Sequence, residues 1–136
     1  MIARIWRGST AAAKAAEYFD YLQQTGVREL QATEGNQGVY VLRRIENGQA
    51  EFTLISLWES WEAIRRFAGE DVERAVYYPE DKDYLLHLEP KVTHYEVLVA
   101  PDGASSAHIA YTLLIDQDAL LTALLKPVTI FCVIGS

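Results

Sequence analysis

A chain of 136 residues, half of them hydrophobic and with a net charge of −7, has the makeup of one soluble globular domain burying roughly two thirds of its unfolded surface. The acidic balance argues against a nucleic-acid backbone or an anionic membrane as partner, because both select clustered Lys and Arg; the doublets Arg43-Arg44 and Arg65-Arg66 sit among acidic residues. A single cysteine, Cys132, allows neither an internal disulfide nor a thiolate metal framework, and in the apolar run 128–134 it reads as a small buried hydrophobe of a protein in a reducing cytoplasm.

Residues 2–7 alternate β-branched and aromatic side chains and predict a first strand. Ser9 or Thr10 then suits the cap of a helix whose apolar stripe is Ala15, Tyr18, Phe19 and Leu22. Gly26 suits its stop, and residues 27–38, mixed in polarity, predict an irregular connection or a short edge strand. A hairpin follows: apolar residues from Val39 to Ile45 and from Phe52 to Trp58 flank Asn47-Gly48, a pair that tolerates the positive φ of a tight turn. Ser60 caps a second helix, with Glu59 and Glu62 near its positive end and Arg65 and Arg66 near its negative end. Trp61, Ile64, Phe67 and Ala68 are its expected buried side, and Gly69 its end.

Residues 71–78 predict one more short helix, capped by Asp71 and stopped by Pro79, and residues 80–83 a charged turn. Residues 91–99 predict the last core strand. The order β-α-β-β-α-β implies a ferredoxin-like α+β domain over residues 1–100, with two helices on one face of an antiparallel sheet. Strand residues of both parities are largely apolar, so the uncovered face calls for a second copy and a homodimer. Residues 101–136 form an apolar C-terminal extension: Leu120, Leu121, Leu124 and Leu125 suit a short helix before Pro127, residues 128–134 suit a strand, and both would pack on the core or on the dimer partner. The apolar stretch 107–125 is interrupted by Asp116, Gln117 and Asp118, which argues against a membrane span. The first seven residues are too short and polar for a signal peptide.

Among residues with chemistry, His94 is the candidate for proton transfer, since imidazole titrates near neutrality. Trp58, at a strand end beside a helix start, either walls a pocket or anchors the core, and Trp6 is in the same position of choice. Arg4 and Glu96 are a possible buried pair. Tyr77 and Tyr78 precede Pro79 near the expected pocket mouth, and Tyr77 is the candidate to hydrogen-bond a substrate oxygen. Glu80, Asp81 and Asp83 lack the glycine and ligand spacing of a calcium loop and suit a solvated helix start. His87 and His108 have no metal-like neighbours in sequence, and no nucleophile elbow, phosphate-binding loop or zinc signature occurs.

With these elements placed, the chain resembles the antibiotic-biosynthesis-monooxygenase-like family of dimeric α/β barrels, in an uncharacterised branch. The resemblance runs from Met1 to about Val99 and is carried by Gly38-Val39-Tyr40-Val41-Leu42-Arg43-Arg44, Ser56-Leu57-Trp58-Glu59-Ser60, Phe67-Ala68-Gly69-Glu70-Asp71, the Tyr77-Tyr78-Pro79-Glu80-Asp81 stretch and His94-Tyr95-Glu96-Val97. It implies oxidation of a small phenolic compound by O2 without a bound cofactor, in a pocket between sheet and helices. Trp58, Trp6, Phe67 and Arg4 would bind substrate, with Tyr77 and His94 catalytic. The pocket Asn and helix Tyr of one characterised branch fall at Leu54 and Ile64. The axial His and ruffling Trp of its haem-degrading branch fall at Tyr77 and Phe67, and a phenolate is itself a known haem ligand. The alternatives are a non-catalytic dimer that binds a small ligand or serves as an accessory subunit, and a haem-binding protein.

Overall fold

The hairpin turns where the Asn-Gly pair predicts it. In the computed structural model, which describes residues 1–101, Asn47 and Gly48 take φ of 54° and 75°, the positive pair that matches the twist of the flanking strands. They join β2 (Asn36–Glu46) to β3 (Gln49–Trp58). The helix and strand expected at 120–125 and 128–134 lie outside the described residues, as does Cys132, and Met1–Val99 is described by itself.

The other elements are β1 (Ile2–Ala11), α1 (Ala15–Gln24), α2 (Gly26–Ala32), α3 (Trp61–Ala68), α4 (Asp81–Tyr84) and β4 (Thr93–Glu96). The strands form one antiparallel sheet in the order β2-β3-β1-β4. This is the ferredoxin-like α+β topology that the sequence predicts. Ile2, Arg4 and Trp6 of β1 and Ala50, Phe52, Leu54, Ser56 and Trp58 of β3 face the helices, where they meet Tyr18, Leu22, Leu30 and Ile64. Period-two alternation turns the intervening residues to the other side. There, cross-strand rows run Tyr40–Ile55–Ile5 and Leu57–Ala3–Tyr95, with Tyr40, Leu42 and Tyr95 about half exposed.

Several local expectations give way to longer-range pairing. β1 extends to Ala11 because β3 offers it partners along ten residues, from Trp58 to Gln49. Ser9 and Thr10 are therefore ladder residues rather than helix caps. Gly26 does not end the helical region. The axis breaks at Thr25, whose hydroxyl donates to Tyr21 O at 2.7 Å, and Gly26 opens α2, where Val27 and Leu30 are buried. Residues 27–32 are thus helical, and β2 starts at Asn36, with a bulge between Asn36 and Gly38.

Helix α3 follows its sequence rules. Ser60 Oγ accepts from Ala63 N–H at 3.1 Å, Arg65 and Arg66 lie in the last turn, and Gly69 caps the end at φ 89°. Its buried side is Ala63 and Ile64, while Trp61 is 45 % exposed and sets its ring edge against His94. No helix spans residues 71–78. That stretch pairs instead with residues 90–92, through Ala75 N–H to Pro90 O at 2.9 Å, Val92 N–H to Glu73 O at 2.8 Å and an Arg74–Lys91 bridge. The short helix comes later, as α4, in place of the expected charged turn. Its first residue, Asp81, is buried and takes the N–H of Tyr78 at 2.6 Å. The last strand shortens to Thr93–Glu96.

Candidate functional site

Between the helix-facing side of the sheet and helices α1 and α2 lies a pocket of about 470 Å³ of atom-free space, part of it open to solvent. The space left in it for the centre of a water molecule is only about 40 Å³. Its walls are apolar and aromatic, including Trp6, Leu22, Leu30, Leu54 and Phe67. Its polar groups are few: Arg4 and Ser56 from the sheet, Tyr18 from α1, and Tyr78 and Asp81 around the start of α4.

Arg4 is 4 % exposed. Its guanidinium donates through Nη1 to Val72 O and through Nη2 to Arg74 O at 3.0 Å. Nη1 also lies 3.2 Å from His94 Nε2, so that nitrogen accepts and the ring proton sits on Nδ1. The guanidinium stands 5.6 Å over the Phe67 ring. Among the described residues no carboxylate lies within salt-bridge distance of it, and burial lowers its pKa to about 10. The expected Arg4–Glu96 pair does not form. Glu96 is exposed at the end of β4, opposite Ile2.

The second polar cluster was not legible from sequence. Tyr18, fully buried, donates from its hydroxyl to Asp81 Oδ1 at 2.9 Å, while Asp81 Oδ2 accepts from Tyr78 N–H. Burial pushes the Asp81 carboxyl above its usual range, and the two donors only partly offset that. The same burial, with Asp81 beside it, pushes the Tyr18 phenol upward. Tyr18 reads as one member of an apolar stripe and Asp81 as a solvated acid. The usable signal was an Asp three residues after Tyr78 across a proline, the spacing at which an acid reaches back to the N–H that opens a turn.

Of the residues expected to form the site, Arg4, Trp6 and Phe67 line the pocket. Trp58 stands behind that lining: it is fully buried, its Nε1 donates to Ser56 Oγ at 2.8 Å, and its ring lies 6.0 Å from that of Phe67. Tyr77 is also one layer back. Its hydroxyl donates to Glu89 O at 2.6 Å and accepts from Trp6 Nε1 at 3.4 Å; burial raises its pKa. His94 contacts Arg4 rather than the pocket, and burial together with the Arg4 charge lowers its pKa. Among the described residues no group of three or more His, Cys, Asp or Glu could hold a metal ion, and no helix is long and apolar enough to cross a membrane.

Fold and pocket together define a ferredoxin-like α+β domain with an aromatic-walled site between sheet and helices. No family model and no curated protein matches the sequence, but solved structures match the backbone. One is described as a "putative antibiotic biosynthesis monooxygenase" from Bacillus cereus: TM-score 0.53, 15 % identity, covering 74 % of this chain and 95 % of that one. Another, of the same description, is from Nitrosomonas europaea: TM-score 0.51, 15 % identity, covering 73 % and 100 %. A haem degrader from Mycobacterium tuberculosis matches at TM-score 0.48 and 16 % identity, over 74 % of this chain and 99 % of that one, a likeness too slight to bear on chemistry. The chain has the fold of antibiotic biosynthesis monooxygenase-like proteins, which supports the resemblance drawn from its sequence.

Proposed function

We propose that this protein binds a small phenol-type aromatic in the pocket beside Trp6 and Phe67 and oxidises it with O2, the substrate itself supplying the electrons. The observation that carries this reading is a mostly apolar, aromatic-walled pocket holding one cation, Arg4, and one carboxylate, Asp81. The monooxygenase descriptions of the two structures that share its fold support it. The small free volume favours one substituted ring over a larger ring system.

Asp81 receives the proton of an acidic O–H or C–H group on the ring system. A carboxylate has about four acceptor sites, and two protein donors occupy part of them. Its raised pKa brings it nearer to the range of an effective base at neutral pH. The resulting anion gives an electron to O2, the radical pair joins as a carbon-bound peroxide that takes the proton back from Asp81, and loss of water leaves a carbonyl. The net change is CH2 + O2 → C=O + H2O, with one oxygen atom kept and the other leaving as water. His94 and Tyr77 act as positioning residues, His94 by holding Arg4 and Tyr77 by holding the Trp6 indole. Trp58 sets the Ser56 hydroxyl and backs Phe67.

Purified protein should consume O2 with a hydroquinone-like or anthrone-like substrate, and Asp81→Asn should reduce the rate by about 10²-fold or more, the usual weight of a general base. Binding of such compounds with no O2 uptake across a broad panel would leave the non-catalytic alternative. The haem reading is less favoured, because the Tyr77 oxygen lies between Trp6 Nε1 and Glu89 O and burial keeps its proton on. A second copy covering the outer sheet face is part of the proposal, as is a cytoplasmic setting. Tyr40, Leu42, Ile55 and Leu57 give that face its apolar rows, and Leu42→Glu should shift the protein from dimer to monomer in sedimentation. A wild-type monomer at micromolar concentration would overturn this part.

A further inference from the structure

We propose that the pocket's ligand is an aromatic carboxylate, with its acid group seated on Arg4. This deepens the functional reading above and rests on its placement of the ligand site. A guanidinium this deeply buried, at 4 % exposure, is costly unless an opposite charge compensates it. Among the described residues it meets no opposite charge, only two backbone carbonyls, a neutral imidazole and the face of the Phe67 ring. The one carboxylate on the pocket wall, Asp81, is engaged elsewhere by Tyr18 and Tyr78 and makes no ion pair with Arg4.

The donor count points the same way. Three of the five N–H groups of a guanidinium are used by Val72 O, Arg74 O and His94 Nε2. The remaining two have no protein acceptor among the described residues, on a residue that lines the pocket. A planar fork with free donors suits the two oxygens of a carboxylate. A phenol is neutral near pH 7 before it reacts, so it leaves the buried charge uncompensated in the bound ground state. An aromatic acid compensates it on arrival, and Trp6 and Phe67 then flank the ring. Because the whole chain is negative, at −7, its overall field repels an anion, and discrimination must arise locally at Arg4.

The test compares ligand pairs of equal shape and unequal charge on the full-length protein: benzoate with benzamide, 4-hydroxybenzoate with 4-hydroxybenzamide, and 2-naphthoate with 2-naphthamide. Calorimetry under anaerobic conditions reads binding alone, so the result is independent of any O2 chemistry. At least one acid should bind about tenfold or more tightly than its amide, the scale of a charge-assisted bidentate contact. Arg4→Gln, if its circular dichroism matches the parent, should bring the acid and amide affinities within about twofold of each other. Arg4→Lys, which keeps the charge and loses the fork, should retain part of the preference. If no acid outbinds its amide in the parent protein, or if a folded Arg4→Gln keeps the full preference, the inference is overturned. The parent comparison decides the matter even if both variants fail to fold. Acid binding without O2 uptake would sink the oxygenase reading alone; turnover of neutral phenols without acid preference would sink this inference alone.

Discussion

Replacing Tyr18 by Phe isolates a single buried hydroxyl. The ring keeps its neighbours, with Phe52 at 5.4 Å and Tyr84 at 5.3 Å between centroids, so packing changes little. What is lost is the 2.9 Å bond to Asp81, leaving the Tyr78 N–H as the carboxylate's protein donor. A hydrogen bond to a buried charge is worth about 1.5–3 kcal/mol, which is a fall of roughly 1 M in the urea midpoint for a chain of this size. The cost depends on pH with a definite sign. Burial already holds Asp81 above the ordinary carboxylate value, so between that value and the folded one the native state binds the extra proton. Stability from this group falls as pH rises through that window and is level above it. Removing Tyr18's hydroxyl, a donor that favours the charged form, raises the folded pKa further. Urea unfolding should therefore show its largest penalty at pH 7 and a smaller one as pH falls and Asp81 takes up its proton, when the bond becomes a neutral pair worth about 0.5–1.5 kcal/mol. A penalty below about 0.5 kcal/mol at pH 7, or one that grows toward acid, would refute the reasoning.

Gly35→Ala should cost about 3 kcal/mol or more, because φ is +96° and the new Cβ would stand 2.4 Å from that of buried Ala63; denaturation showing under 1 kcal/mol would contradict that packing. Gly8→Ala drives a methyl to 2.4 Å from the Trp6 indole, so the ring must leave its seat against Tyr77. Tryptophan emission should shift, with aromatic-ligand affinity falling several-fold; an unchanged spectrum and affinity would count against Trp6 as a wall. Ser60→Ala removes the acceptor for Ala63 N–H and should cost about 1 kcal/mol in thermal or urea unfolding, a cost that a working cap cannot lack.

Local rules carried much of the fold. The Asn47-Gly48 turn, the Ser60 cap and the Gly69 stop each depend on a few adjacent residues, and each stands where the sequence puts it. The failures share a cause, which is competition from partners distant in sequence. Ser9 and Thr10 have the chemistry of caps, yet β3 continues to offer them a ladder. Residues 71–78 have a capping Asp and a terminal Pro, yet residues 90–92 claim their backbone. Alternation along β1 puts Arg4 and Trp6 on the helix-facing side of the sheet, and Phe67 joins them on the pocket wall from α3. Trp58, as a core anchor, and Tyr77 and His94 lie behind the pocket lining rather than on it. The Tyr18–Asp81 contact spans 63 positions, a pairing that neither residue's own surroundings announce.

The first strand does two jobs with one chain. Arg4 and Trp6 face the pocket, Ala3 and Ile5 face the opposite surface, and Gly8 leaves room for the Trp6 indole. A slip of one position against β3 would exchange the two sets at a stroke, sending the guanidinium outward and planting aliphatic groups in its place. Insertions or deletions between Ile2 and Gly8 should accordingly be far more damaging than most substitutions there.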